Sequence, residues 1–320
     1  MAPTATTVVP RSTFAPVSVF VVDAEGDLVE HLPGRSVTVA RDAAGWPEGP
    51  VKIGSSILYL SGGVVHEVGR SGVVFPDAST RGDAMALLPV DRSGGVALHQ
   101  VWVTSRVGDP APGEADLLVD VGSTWRVIGR EPLAPNEVAV GAYAGRLVTI
   151  VLDGQGGDLV ERDAISGAVV SRIDRVAGPD PVRQVVSVNR NVIAFVTCAR
   201  AAACSLVIRT AAQTRLVPPP PGRSFIGGGA MSASGTIAAF AATDDSIGRL
   251  LLVDAATGTA REINTDIDIG EPVGAASWTD DGQWLVFGGI RHTFALERGS
   301  ARPVPLPYAA GYGFIAALEP

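Results

Sequence analysis

The sequence predicts an all-β fold: a seven-bladed β-propeller of four-stranded antiparallel blades, its ring closed by the C-terminal strand. Three observations lead there. Two kinds of apolar hairpin alternate along the 320 residues. Each kind returns every 43 to 53 residues, a period that marks stacked units sharing one core. The 38 Gly and 23 Pro, with Asp, Asn and Ser, fall between the apolar runs as turn residues.

The first hairpin supplies the two inner strands of a blade. Its copies are WTDDGQWLVF at 278–287, MSASGTIAAF at 231–240 and VDRSGGVALH at 90–99. Degenerate copies are VSVNRNVIAF at 186–195 and GAYAGRLVTI at 141–150, and a weaker one sits around Gly54, ahead of Ile57–Leu60. The second hairpin supplies the two outer strands, with turns that begin at Asp23, Glu67, Asp120, Asp163, Arg209, Asp254 and Glu297. Short polar residues and glycine suit these tight reversals because they tolerate positive φ. Alternation of the two hairpins gives four strands per repeat, which is a propeller blade.

Six inner hairpins against seven outer ones leave the first blade short of an inner strand. The segment Tyr312–Leu318 can supply it, joining the chain ends and leaving no free sheet edge. Residues 108–115, GDPAPGEA, read as a longer loop between the second and third strands of the third repeat. Residues 17–320 are then one propeller domain. Residues 1–16, MAPTATTVVPRSTFAP, read as a flexible Pro/Thr/Ala linker: either a frayed end or a stalk left when a signal or membrane anchor is removed.

Net charge is −8, and Lys52 is the single lysine. Without a run of Lys and Arg this balance argues against a nucleic-acid groove. No apolar stretch is long enough for a membrane span, so the mean hydropathy of +0.27 reflects buried strands and no membrane insertion by this chain. Cys198 and Cys204 flank a short turn between VIAFVTC and CSLVIRT, where opposed strand ends come within disulfide range. A disulfide there implies an oxidising compartment; two free thiols would imply the cytosol.

The run SWTDDGQWLVFGG resembles the W-S-x-D-G-x-x-L-x-F repeat of TolB-like and WD40-like bacterial β-propellers, with Asp280 where those families commonly carry proline. The repeat extends over about 230 residues. Because this motif builds blades, the resemblance implies a fold and a binding role rather than chemistry. TolB-like domains are scaffolds of the bacterial envelope, which agrees with export.

Catalytic motifs are absent from the sequence: there is no G-x-S-x-G elbow, Walker A loop, H-E-x-x-H or strand-flanked G-x-G-x-x-G, and no cofactor is expected. His31, His66 and His99 fall on fourth, third and second strands, so they do not converge as ligands or catalysts on the axis. Asn264, Asp266 and Asp268 alternate with Ile267 and Ile269, as in an ordinary pleat rather than a calcium loop. Ser232 and Ser234 lie in a turn.

Binding is expected at the mouth of the central funnel, on the connections that run from each outer strand to the next inner one. These carry Trp46, Glu48, Arg81, Asp83, Glu137, Arg183, Arg223, Glu271 and Tyr308. Their mixed charge suits a protein, peptide or small polar ligand better than a polyanion. The expectation is a non-enzymatic binding or scaffold propeller of the envelope or extracellular space. The alternative is a secreted hydrolase or lyase with an unrecognised site in the funnel.

Overall fold

Val19 and Phe20 are neighbours in one strand, yet Val19 packs with Val286 and Ala295 while Phe20 packs with Ala43 and Ile57. This alternation, with both faces of a strand buried against different partners, recurs throughout the molecule. The computed structural model describes residues 17–23, 25–43, 50–53, 56–68, 83–91, 100–106, 113–121, 125–143, 145–152, 157–163, 166–173, 182–189, 191–198, 203–210, 212–243, 247–268, 275–288, 292–308 and 315–318. No helix among them is long and apolar enough to cross a membrane.

The strands form seven antiparallel blades. From the axis outward, blade 1 is Ile315–Leu318, Ser18–Val22, Leu28–Leu32 and Arg35–Ala40. Blade 2 shows Val51–Ile53, Ser56–Ser61 and Val64–Glu67; the returning strand expected after the Glu67 turn falls outside the described residues. Blade 3 is Asp83–Asp91, Gln100–Arg106, Gly113–Asp120 and Trp125–Pro132, and blade 4 is Glu137–Tyr143, Arg146–Leu152, Gly157–Asp163 and Val169–Ile173. Blade 5 is Val182–Val188, Val192–Thr197, Ser205–Thr210 and Thr214–Val217. Blade 6 is Ser224–Met231, Thr236–Ala242, Ile247–Asp254 and Ala260–Asp268, and blade 7 is Ala275–Trp278, Trp284–Gly288, Thr293–Glu297 and Val304–Pro305.

The apolar core is distributed over the seams between blades. Among the described residues, seven clusters of buried side chains each draw on two adjacent blades. Trp102 fills the seam of blades 3 and 4, Phe195 that of 4 and 5, and Phe240 with Phe287 that of 6 and 7. At the last seam the C-terminal strand completes the ring: Ser18 to Val21 pair antiparallel with Leu318 to Ile315. That strand lies beside the inner strands of blades 2 and 7. Lys52 of blade 2 also reaches Asp280 of blade 7 at 2.9 Å, so the two blades that flank the closed one share an ion pair. With Asp280 exposed, its contribution is about 0–1 kcal/mol.

Blade 1 corrects the sequence reading. The hairpin that turns at Asp23 is the middle pair of its blade, and Arg35–Ala40 is the outer strand. Asp23 accepts backbone N–H groups from Glu25 and Asp27, as outer-turn acids do elsewhere, so local sequence gave no distinction. His31 therefore sits on a third strand rather than a fourth. In blade 3 the second strand begins at Gln100, one residue past the hairpin read from sequence, and His99 lies outside the described residues.

The Cys198–Cys204 disulfide is present and closes the turn between the second and third strands of blade 5. Ring closure carries a direct consequence. Removing residues 315–320 strips the hydrogen-bonded partner from Ser18–Val21 and should abolish cooperative thermal unfolding. Removing only Glu319 and Pro320 should lower Tm by less than about 2 °C; equal loss from both truncations would contradict closure by this strand.

Candidate functional site

Polar groups inside an apolar seam are costly, so the seams that carry them are where function is sought. Register fixes one instructive position. Asp163, Thr210, Asp254 and Glu297 each pair with the first residue of their blade's second strand. The sequence reading began the blade 5 turn at Arg209, one residue early, because threonine replaces the acid there. The Thr210 hydroxyl does the acid's work by accepting the Gln213 N–H at 3.2 Å. The residue preceding each turn is thus Arg162, Arg209, Val253 or Leu296.

Arg162 is fully paired. Its Nε and Nη2 donate to the Glu137 carboxylate at 2.7 and 2.9 Å, its Nη1 donates to the Gly167 carbonyl, and Thr149 Oγ1 donates to Glu137 at 2.6 Å. Burial opposes charge on Glu137, but these hydrogen bonds and that from the Ala134 N–H outweigh it and hold the carboxyl below its ordinary range. Glu131, from the outer strand of blade 3, faces the same arginine; burial pushes its carboxyl up. Gly167 has φ of +67°, which favours glycine, and a Cβ there would lie 2.4 Å from a Glu131 oxygen, so a larger residue would displace that carboxylate.

Arg223 makes a different network, donating to Glu262 at 2.9 Å, while Arg249 of the same blade pairs with Asp266 at 2.7 Å and bonds Asn264. Asn264 and Asp266, two of the residues in the alternating run, are therefore both engaged by Arg249. Glu137, Arg223 and Tyr308 each serve different blades and share no partner among the described residues. Trp46, Glu48, Arg81 and Glu271 lie outside the described residues, and Asp83 and Arg183 are placed in the inner strands of blades 3 and 5 without described side chains.

Tyr308 lines a cleft of about 250 Å³ where blade 7 meets blade 1, with His31, Pro33, Arg35, Ser36 and Pro307. The Tyr308 and His31 rings stack at 3.6 Å with 7° between their planes. His31 Nδ1 and Ser36 Oγ lie 2.7 Å apart. The Tyr308 hydroxyl is buried without a hydrogen-bond partner, and burial drives its ionisation well above the ordinary range. Sequence reasoning found Tyr308 as a connection residue but passed over His31, whose position becomes visible only when the two ends of the ring meet. A further cleft of about 340 Å³, lined by Trp278, Arg261 and Glu297, lies between blades 6 and 7.

The fold is that of a seven-bladed β-propeller, which solved TolB structures share. No protein-family model and no curated protein sequence matches the chain. Solved structures do. TolB from Acinetobacter baumannii aligns with a TM-score of 0.51 at 12% identity, over 98% of this chain and 69% of its own. A putative TolB from Agrobacterium tumefaciens gives 0.53 at 13%, over 92% and 99%. A puromycin-hydrolyzing peptidase of Mycobacterium tuberculosis gives 0.56 at 10%, over 94% of this chain but 54% of the peptidase, so the chain spans about half its length. At such identities the likeness is one of fold.

The cleft should respond to pH. Burial lowers the His31 pKa from 6.5, with Asp23 pulling weakly the other way. As pH falls, the unfolded chain takes up this proton before the folded one. Stability from the neutral ring is complete above pH 6.5 and declines below it, toward the folded-state value. Denaturant midpoints measured from about pH 7.5 to about 5.5 should fall in the wild type and flatten over that range in His31→Phe. Parallel profiles would remove His31 from the seam's pH response.

Proposed function

We propose that the chain is an exported, non-enzymatic binding propeller that takes a peptide segment or small polar molecule in the His31–Tyr308 cleft. The observation that carries this is the cleft's composition. An aromatic stack and two prolines give apolar walls, while Arg35 and Ser36 give polar handles. Concave apolar surface with a few convergent polar groups is the usual form of a ligand site. Export is supported by the disulfide and by the likeness to TolB folds. Tyr308 belongs to the connection residues expected to bind, and of that set it is the one that lines a described cleft.

A displayed random-peptide library panned on the disulfide-intact protein tests the reading. Enriched peptides should bind the wild type and lose at least about tenfold in affinity, about 1.4 kcal/mol, in both Tyr308→Ala and the exposed-site variant Arg35→Glu. The latter should retain its melting temperature. Peptides that bind both variants as well as wild type would place the site elsewhere. The peptidase alignment favours a second reading, in which this propeller accompanies a hydrolase. Turnover of an aminoacyl arylamide by the purified chain alone would instead favour a hydrolytic site in the funnel of this chain.

A further inference from the structure

The seam of blades 4 and 5 holds a separate cleft of about 210 Å³, lined by Tyr143, Glu161, Asn189, Asn191 and Arg209 among others. Arg209 stands at the register position of Arg162, Val253 and Leu296. Val253 and Leu296 are buried hydrocarbon, and Arg162 is met by a bidentate carboxylate. Arg209 has neither solution. Its Nη1 is buried with no hydrogen-bond partner, and its Nη2 donates to Ser171 Oγ at 3.3 Å. The carboxylate it faces, Glu161 of the neighbouring blade, is 4.0 Å away, at the outer limit of an ion pair.

The surrounding groups are arranged for a guest that carries both charges. Tyr143 hydrogen-bonds Glu161; burial, then that carboxylate, push its phenol ionisation up, so it stays a neutral donor. Asn189 Oδ1 accepts the N–H groups of Asn191 and Val192, which fixes the amide. Among the described residues its Nδ2 meets Met231 Sδ, 3.8 Å away. Arg209 as donor and Glu161 as acceptor therefore sit side by side in one small cavity, which Asn189 also lines. At about 30 Å³ per water the volume holds about seven waters, the scale of a single amino acid.

We infer that this cleft binds the zwitterionic head of a free α-amino acid, its carboxylate on Arg209 and Asn189 and its ammonium on Glu161. An α-amino acid carries both groups on one carbon, so it can address the side-by-side arginine and glutamate together, each through charge-assisted hydrogen bonds. A simple anion would satisfy Arg209 but crowd Glu161. A simple amine would do the reverse.

Isothermal titration of the full disulfide-bonded chain with each of the twenty proteinogenic amino acids tests the inference. Glycine or another small member should bind saturably at millimolar concentration or tighter. N-acetylglycine, glycinamide and inorganic phosphate should not. Arg209→Gln and Glu161→Gln should each weaken binding at least tenfold, with unliganded melting temperatures close to wild type. Saturable heat, rather than a rise in melting temperature, separates binding from the general stabilisation that excluded solutes give. Binding of phosphate or N-acetylglycine as tight as that of glycine overturns the proposal. So does amino-acid binding that survives both substitutions, or no binding by any of the twenty. The His31–Tyr308 cleft is not involved, so failure here leaves that reading standing.

Discussion

Apolar packing across blade seams is the constraint on which the remaining structure depends. A four-stranded blade buries neither of its faces alone, so it needs a neighbour on each side. Seven blades supply seven seams only if the last one closes. Closure falls to one short strand, Ile315–Leu318, lying between blades 2 and 7 and hydrogen-bonded to Ser18–Val22. The Lys52–Asp280 pair spans the same junction, but a half-exposed ion pair is a minor addition to the strand and its apolar neighbours.

Against that background the polar seams stand out. Blades 5 and 6 meet through Val253, and blades 6 and 7 through Leu296. Blades 3 and 4 hold the Glu137–Arg162 pair with nearly every group engaged, which reads as structure. Blades 4 and 5 hold Arg209 with its partners missing or distant, and blades 7 and 1 hold a tyrosine hydroxyl with none. Such groups cost stability unless something meets them, and each of the two clefts that carry the binding proposals is lined by a residue that holds one.

Much of the fold was legible in the sequence because turn chemistry and apolar runs repeat. The inner hairpin at 278–287 and the outer turns at Asp163, Asp254 and Glu297 appear where their residues implied. The outer strand Arg35–Ala40 was missed because it is largely exposed and carries no buried apolar pattern to read. The one-residue error at Arg209 arose because Thr210 replaces an acid with a hydroxyl that makes an equivalent bond. The clefts were less legible for a general reason. Tyr308 meets His31, and Arg209 meets Glu161, across seams between different repeats, and no local pattern encodes which side chains face one another there.

A seam arginine that is structural differs in its energetics from one that is held for a ligand. Chemical denaturation of Arg162→Leu and Arg209→Leu measures the difference. Arg162→Leu should lose about 3–5 kcal/mol, because Glu137 is left buried without its partner. Arg209→Leu should change stability by less than about 1 kcal/mol, since the weak pair with Glu161 contributes little and leucine fills the position as Leu296 does in blade 7. A loss in Arg209→Leu as large as that in Arg162→Leu would make Arg209 a structural residue and contradict the account.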